Sequence, residues 1–479
     1  MKRIRGGWAA AVSMALLAAA FTTWLFHASL GSQSDDAVVR RHPPWIRNVV
    51  LYGMIPAFYG GISGVANNLD NVAALGANAI WLAPIMDAPE RDSGYDVLDH
   101  YRISPSLGSE DDLRRLVAEA HARHVRVILD IALNHLSAKS PIYRDVLEHG
   151  RQSQYFDFFE RDEHGEPTFY FNWTGLKNLN YKNPEVREYA CGALEHWLKK
   201  FDIDGFRLDA AWAINERAPD FWPQCFARLK RIKPDIMLIA EASARDPRLL
   251  ESGFDVAYDW TDHLGEWAWA SAFNFGEEPA AKLRQALSTN LVPAGDSRQP
   301  PRILTLHFLN NNDTGERFIT AHGVGMARAA AALLLTVPGL PALYMGEEVG
   351  AEYFPYGGPH LLSDADPHGL RPYLKKLVAL RHELAVLRSP DISFVDTSNP
   401  QFVLAYARPS KLASRAVLVV INFSDKETDV GLGDGKELAT KLGGTQLKDL
   451  LDGSEITLQT DAPSLKLEPY AVKILQRRN

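Results

Sequence analysis

Ionisable and polar side chains follow four of the apolar runs in this chain. In chain order they are Asp130, Asn134 and His135, then Arg207 and Asp209, then Glu241, and finally Asp313. A carboxylate at the end of a buried strand costs free energy unless it is paired or hydrogen-bonded. One such acid alone would more often be a solvated loop residue or a structural ion pair. Four at successive strand ends indicate a site that uses paired acids.

Arg207, Asp209 and Glu241 could form such a pair of acids with a cation. Arg207 and Asp209 are two residues apart, so in a strand their side chains leave the same face, and the guanidinium would lower the pKa of Asp209. Glu241 follows the apolar run IMLIA with no cation beside it in sequence, so desolvation would favour its protonated form. Cleavage of a glycosidic bond needs one ionised and one protonated carboxyl. We predict that Asp209 is the nucleophile and that Glu241 is the general acid and base.

Eight short apolar runs, separated by helical windows, would position these residues between Trp45 and about Arg388. The runs are NVVLYGMIP, NAIWLAP, VRVILDIA, IDGFRLDA, IMLIAEA, FDVAYDW, RILTLHFL and GLPALYM. Two helix starts are marked, by Ser109 with Asp112 three residues later and by Asn183-Pro184. The alternation predicts parallel strands with helical crossovers. Eight such units predict an α/β fold, a (β/α)8 TIM barrel over residues 45–390, with its chemistry at the carboxyl ends of the strands.

Two segments depart from this alternation. More than forty residues separate DIALNH from the helix at Asn183, too many for an ordinary connection, so we predict a small inserted domain after strand 3, over residues 136–182. After Pro390 the apolar runs alternate in hydrophobicity, contain no helical pattern and are separated by Gly, Asp and Ser. We predict a C-terminal antiparallel β-sandwich domain over residues 391–479.

The first 31 residues have the pattern of an export signal. Three cations precede an uncharged apolar stretch over residues 8–26, and small and polar residues follow it. The stretch is long for the core of a signal peptide and just long enough to span a bilayer. Cleavage after Gly31 and retention as a membrane anchor therefore both stay open. Because the cations stay inside, we expect the rest of the chain to be periplasmic or extracellular.

Composition excludes one class of partner and leaves the two cysteines undecided. The chain has 46% hydrophobic and 23% charged residues with a formal net charge of -8, so it offers no basic field for nucleic acid. Cys191 and Cys225 are the only cysteines. They are too few for a disulfide framework, and either a single bridge or two buried thiols would fit an exported chain.

The motifs DIALNH, GFRLDAAW, IAEA and FLNNND occur in this order, and PGLPALYMGEE covers the predicted eighth strand. Together they resemble the signatures of the α-amylase family, glycoside hydrolase family 13. The resemblance implies a retaining glycosidase that cleaves α-glucosidic bonds, α-1,4 in maltooligosaccharides or starch-like α-glucans, through a covalent glycosyl-enzyme intermediate. It implies no required cofactor. By the same resemblance Asp209 is the nucleophile, Glu241 the acid and base, and Asp313 the carboxylate that stabilises the transition state.

The resemblance also implies a set of residues that bind substrate. Tyr95 would stack on the sugar at the cleavage subsite, while His135 and Arg207 would orient that sugar and the nucleophile. Asn312 stands where the family usually has His, and its amide can bind sugar hydroxyls but cannot become charged. Trp212, in place of the Lys of many amylases, is either a stacking platform on the leaving-group side or a packed aromatic.

The calcium site of many relatives is altered in this chain. That site uses an Asn at the third strand, an Asp of the inserted domain and a backbone carbonyl after the nucleophile. Asn134 is present, but Asn178 replaces the Asp and lacks its negative charge. A hard divalent cation would be held less well. We therefore predict no metal site, with calcium near Asn134 as the alternative.

Three functions fit this sequence. The first is hydrolysis of α-glucans or oligosaccharides, and the second is transfer of the same glycosyl group to a sugar, or isomerisation of a disaccharide, at the same site. The third is a non-catalytic amylase-like ectodomain tethered by the N-terminal segment. The intact trio of Asp209, Glu241 and Asp313 argues against the third, because a scaffold has no use for acids crowded together.

Overall fold

Eight parallel strands close the predicted barrel. The computed structural model describes residues 42–89, 94–249, 251–274, 276–290, 303–352 and 365–478. The barrel strands are β1 (Leu51–Met54), β2 (Ala79–Leu82), β3 (Arg126–Ile131), β4 (Gly205–Leu208), β5 (Met237–Ser243), β6 (Val256–Tyr258), β7 (Leu304–Phe308) and β8 (Leu340–Tyr344). Each pairs in parallel with its neighbours, and β8 pairs with β1. All eight predicted runs supply a strand, and the barrel is confirmed. Burial on both faces explains their continuous apolar sequence.

Helices cover the barrel, and the two predicted helix starts are confirmed. The Ser109 hydroxyl accepts from the backbone N–H of Asp112, whose carboxylate accepts from the backbone of Ser109. Asn183 caps the other helix by accepting from the N–H of Glu185. The helices within the barrel region are Ile62–Asn67, Leu69–Leu75, Glu110–Ala122, Pro184–Phe201, Ala211–Arg217, Phe221–Ile232, Ala270–Phe273, Pro279–Asn290, Phe318–Thr336 and Leu370–Glu383.

The predicted insertion contains a small antiparallel sheet and a helix. Its strands are His135–Ser137, Phe169–Tyr170 and Trp173–Asn178, and its helix is Pro141–His149. The first strand pairs with the third so that His135 lies opposite Asn178, and the second and third form a hairpin. The insertion therefore begins directly at the mouth of the barrel, after β3. A further short hairpin, Met86–Asp87 with Asp99–Ile103, follows β2.

The C-terminal region is an antiparallel β domain with one helix. Its strands are Ser393–Val395, Val403–Arg408, Val417–Asn422, Thr428–Gly431, Gln446–Asp449, Glu455–Thr457, Ser464–Leu467 and Val472–Arg477. They form a six-stranded and a two-stranded sheet, whose buried side chains share one core. The prediction of no helix here is wrong, since Gly435–Leu442 is helical. Asp434 caps it by accepting from two backbone N–H groups, and Leu438 and Leu442 bury one face.

A disulfide bond joins two of the barrel helices. Cys191 lies in helix Pro184–Phe201 and Cys225 in helix Phe221–Ile232, and their Cα atoms are 5.6 Å apart. The bridge spans a sequence separation of 34 residues that includes β4. Of the two predicted states of the cysteines, the bridged one is present.

Candidate active site

The guanidinium of Arg207 lies at the centre of the barrel mouth and joins three carboxylates. It is fully buried and projects from β4. Its Nη1 donates to Asp130 Oδ1 at 3.0 Å and to Asp209 Oδ1 at 2.9 Å, and its Nη2 lies 3.0 Å from Glu241 Oε1. These acids come from the ends of β3, β4 and β5, which are neighbours in the barrel. The structure thus brings together three of the residues that the sequence placed at strand ends around one permanent cation.

The pKa of Asp209 differs from the expectation. Burial and the adjacent negative charge of Glu241 raise the pKa of Asp209 well above its ordinary value, and Arg207 acts in the opposite direction. The prediction that Arg207 alone would set a low pKa is wrong, because a second carboxylate shares the same guanidinium. Glu241 has no cation beside it in sequence, but the pairing of β5 with β4 places Arg207 Nη2 3.0 Å from its Oε1. The nearby negative charge of Glu241 therefore favours the protonated form of Asp209.

The backbone after Asp209 is bent toward Glu241. Ala210 has a φ of 46°, a left-handed conformation that a residue with a Cβ rarely adopts. Its N–H donates to Glu241 Oε2 at 2.6 Å. Strained backbone of this kind persists where surrounding contacts impose it, and it clusters at functional sites. The Asp209 turn and the Glu241 side chain are therefore fixed relative to one another.

The asparagines of FLNNND form the exit from β7. Asn310 Oδ1 accepts from the N–H of Phe318, and Asn311 Oδ1 accepts from the N–H of Asp313, both at 2.8 Å. These two residues therefore hold the turn. Asp313 is exposed, and its negative charge acts on Tyr258, whose hydroxyl accepts from Arg207 Nε at 3.1 Å. Asp313 thus lies at the same mouth as the other acids, on its solvent side.

Asn312 and His135 both contact Tyr95. The Asn312 amide donates to the Tyr95 hydroxyl at 3.0 Å, and that hydroxyl donates to Asp130 Oδ2 at 2.9 Å. His135 Nε2 lies 2.9 Å from the Tyr95 carbonyl oxygen, so this nitrogen carries the hydrogen. Burial lowers the pKa of His135 to about 4, and its ring is neutral. The predicted sugar-binding residues therefore form one connected group, in which Asn312 and His135 hold Tyr95 in place.

An aromatic surface, formed by Tyr170, Phe171, Trp173 and Trp212, borders these residues. Tyr170 lies 5.4 Å from the His135 ring, between ring centroids, and 6.3 Å from Trp212. Burial and the charges of Glu241 and Asp209 raise the pKa of Tyr170, so Tyr170 lies near these two acids. Phe171 and Trp173 are 56% and 60% exposed. Sequence reasoning identified Trp212 but missed the other three, although the aromatic run FYFNW in the insertion was a usable signal.

The residues at the predicted calcium position do not fit a calcium ion. The amide oxygen of Asn134, the expected ligand, accepts a hydrogen bond from the Arg217 guanidinium. Asn134 Nδ2 donates to Asn178 Oδ1 at 3.2 Å. Within the described ranges no three His, Cys, Asp or Glu side chains form a group that could hold a metal. The oxygen that the resemblance assigns to calcium is therefore bound by a cationic side chain.

Comparison with known proteins identifies the family. The sequence profile of the alpha-amylase catalytic domain matches residues 25–357, and that of the maltogenic amylase C-terminal domain matches residues 392–474. The chain belongs to the alpha-amylase family. As a member of this family it is a glycoside hydrolase, and no organic cofactor is needed.

Relatives of this alpha-amylase family member include a cyclomaltodextrinase and a maltogenic amylase. The cyclomaltodextrinase of Geobacillus thermopakistaniensis is 27% identical over 477 residues, covering 89% of this chain and 76% of that protein. An intracellular maltogenic amylase of Bacillus subtilis is 30% identical over 383 residues, covering 71% of this chain and 63% of that protein. The solved structure of a maltogenic alpha-amylase from Thermotoga neapolitana matches with a TM-score of 0.74 at 22% identity, over 90% of this chain and 98% of the other. That likeness supports the fold.

Proposed function

We propose that this protein hydrolyses α-1,4-glucosidic bonds in maltooligosaccharides and related α-glucans with retention of anomeric configuration. The observation that carries the proposal is the single guanidinium of Arg207, which binds Asp209 and lies 3.0 Å from Glu241. Two carboxyl groups on one guanidinium suit the short separation, about 5 Å, of a retaining pair. The names of the relatives, cyclomaltodextrinase and maltogenic amylase, support an α-glucan substrate.

The reaction proceeds in two displacements. Asp209 attacks the anomeric carbon while Glu241 gives its proton to the leaving glycosidic oxygen, so that a carbon–oxygen bond to Asp209 forms as the glycosidic bond breaks. Water then attacks the same carbon from the opposite side to Asp209. Glu241 accepts the proton of that water, and Asp209 leaves as a carboxylate. Asp313 stabilises the positive charge that develops on the sugar ring in both steps.

The proposal is tested by product analysis with a matched inactive variant. The purified protein is incubated with maltoheptaose, pullulan, trehalose and sucrose beside Asp209→Asn, which keeps the size of the side chain and removes its charge. We expect maltoheptaose to be shortened by the wild type only, and NMR to show the α-anomer as the first product. A β-anomer as the first product would contradict retention. Equal results for wild type and variant on all four sugars would reject the proposed activity.

Transfer to a sugar acceptor is a second candidate for the same intermediate. The aromatic surface supports it, because exposed rings such as Phe171 and Trp173 beside the acids can hold the apolar face of a sugar that competes with water. In the same incubation, products longer than maltoheptaose would show transfer. Their complete absence at high substrate concentration would leave hydrolysis as the only reaction.

We also propose that the chain is exported. The N-terminal cations and apolar stretch, which lie outside the described residues, support this, and so does the Cys191–Cys225 bridge, since structural disulfides persist in oxidising compartments. The test is fractionation of cells expressing the full chain, with N-terminal sequencing of the product. Protein that begins after Gly31 supports a cleaved signal, and intact protein in the membrane fraction supports an anchor. Intact protein in the cytosol would reject export.

A further inference from the structure

Arg217 connects the barrel to the inserted sheet through four oxygen atoms. It is the last residue of helix Ala211–Arg217, which follows the Asp209 turn, and its side chain is 21% exposed. Its Nη2 donates to Asn134 Oδ1. Its Nη1 donates to the carbonyl oxygen of Leu179 at 3.1 Å and to Glu160 Oε2 at 2.9 Å. Its Nε donates to the carbonyl oxygen of Ala213 at 3.1 Å.

These acceptors are the kind of ligand set that a hard divalent cation uses. They comprise one amide oxygen, two backbone carbonyl oxygens and one carboxylate oxygen, and oxygen atoms are the ligands that such cations prefer. They come from the end of β3, from the insertion and from helix Ala211–Arg217, which follows β4. We propose that the Arg217 guanidinium takes the place of a divalent cation here, and that it holds the insertion to the barrel without metal. An arginine suits this role for two reasons. Its planar guanidinium presents five N–H donors, and the group is permanently charged.

Asn178 completes the replacement. An Asp at this position would add a negative charge beside Asn134, but Asn178 is neutral and accepts from Asn134 Nδ2 at 3.2 Å. That bond turns the other end of the Asn134 amide, its oxygen, toward Arg217. Among the four acceptors, Glu160 supplies the one negative charge. This charge balances the single positive charge of a guanidinium but only half of the charge of a divalent ion. The neutral side chain at 178 and the positive charge at 217 therefore act together: the first removes a ligand charge that a divalent cation would need, and the second replaces the cation.

The position of this cation links it to the active site. Asn134 is adjacent to His135, which binds the Tyr95 carbonyl, and Ala213 and Arg217 belong to the helix that follows Asp209. The positive charge of Arg217 also contributes to the low pKa of His135. Arg217 is therefore a positioning residue, because it fixes the two segments that carry the nucleophile and the sugar-binding group without touching the reacting atoms.

The first test measures the thermal midpoint of the purified full-length protein with EDTA, with added calcium chloride and with neither. We expect all three midpoints to coincide. A midpoint that falls with EDTA and is restored by calcium would overturn the inference. This measurement does not depend on activity, so it is independent of the proposed reaction.

The second test compares Arg217→Gln with Arg228→Gln in limited proteolysis. Arg228 is a control of similar exposure, 31%, with three hydrogen bonds to Glu188 and Glu195 that join helices Pro184–Phe201 and Phe221–Ile232 and none to residues 136–182 among those described. We expect cleavage within residues 136–182 to be about tenfold or more faster in the Arg217 variant, the effect of losing one charge-assisted hydrogen bond. Equal cleavage rates in the two variants would overturn the inference.

The third test rebuilds a metal site. The double variant Asn178→Asp/Arg217→Ala restores the carboxylate and removes the guanidinium, which leaves the Asn134, Leu179 and Ala213 oxygens for an ion. We expect its thermal midpoint to rise with added calcium, whereas that of the wild type does not. A double variant whose midpoint is unaffected by calcium would contradict the statement that Arg217 occupies a cation-binding position.

Discussion

Replacing Arg207 with Gln tests the electrostatics at the centre of the barrel mouth. In the proposed reaction Asp209 must be ionised to attack, and Arg207 is the group that opposes the effect of burial and Glu241 on its pKa. Removing the guanidinium raises that pKa further, so that a smaller fraction of Asp209 is ionised at a given acidic pH. The acid limb of the pH profile of kcat/KM must therefore move to higher pH.

The size of the shift follows from the contact distance. Arg207 Nη1 lies 2.9 Å from Asp209 Oδ1, and an opposite charge this close lowers a carboxyl pKa by about 1–3 units. We expect the acid limb to move up by about 1–3 units, with a tenfold loss of rate for about each unit on that limb. Asp130, fully buried, loses the same partner. Removing one member of a buried ion pair costs roughly 3–5 kcal/mol in the free energy of unfolding.

The assay is kcat/KM against pH on maltotriose for the wild type, Arg207→Gln, Arg207→Lys and Arg245→Gln. Arg245, the control, is 18% exposed and lies 3.5 Å from Asp259, so its replacement should leave the acid limb in place. Arg207→Lys keeps the charge but lacks the planar fork, and we expect an acid limb near that of the wild type with a lower plateau. A folded Arg207→Gln protein with an unshifted acid limb would refute the reasoning.

Three further predictions follow from the contacts around the site. Asn312→His should leave the rates at neutral and alkaline pH unchanged and alter the acid limb, because an imidazole becomes charged at acidic pH and an amide does not. An acid limb identical to that of the wild type in a rate–pH profile would contradict this prediction. Burial lowers the pKa of His100 and of His135 to about 4, so their contribution to stability is complete above about pH 6.5 and is lost as pH falls toward 4. The lowered pKa of each histidine corresponds to roughly 3 kcal/mol in the free energy of unfolding. Urea midpoints that are equal at about pH 7 and about pH 4.5 would reject this prediction. Phe171→Ala and Trp173→Ala should each lower the yield of elongated products from maltoheptaose by about three- to tenfold, because each removes one aromatic contact with the acceptor sugar. Unchanged yields by chromatography would show that these rings do not hold the acceptor.

The barrel, and the grouping of acids at its mouth, were predictable because their signals are local. Each strand is a run buried on both faces, and each candidate catalytic residue follows directly on such a run, so that the parallel arrangement brings the strand ends together. The capping residues Ser109 and Asn183 are local signals as well. The helix Gly435–Leu442 was missed because it is a single short amphipathic segment inside a region of alternating strands.

Contacts between residues far apart in sequence were not predictable. Arg217 is 83 residues from Asn134 and 57 from Glu160, and nothing in the helix that ends at Arg217 indicates those partners. The pKa of Asp209 was predicted with the wrong sign for a similar reason. Its neighbour in sequence is Arg207, but the effect of Glu241 depends on the pairing of β4 with β5. The sequence identifies which residues end a strand. It does not identify which charged residues of other strands lie close enough to change their pKa.

The Cys191–Cys225 bridge closes the segment between the two cysteines into a covalent ring. The ring, 34 residues in sequence separation, contains Arg207, Asp209 and Arg217. Closing a loop of this length stabilises the folded chain by about 4 kcal/mol in the chain-entropy description. It also means that one proteolytic cut anywhere between the two cysteines leaves both parts of the polypeptide joined. A chain nicked once in this segment then stays covalently connected through the disulfide, which favours persistence where proteases are present and reductants are scarce.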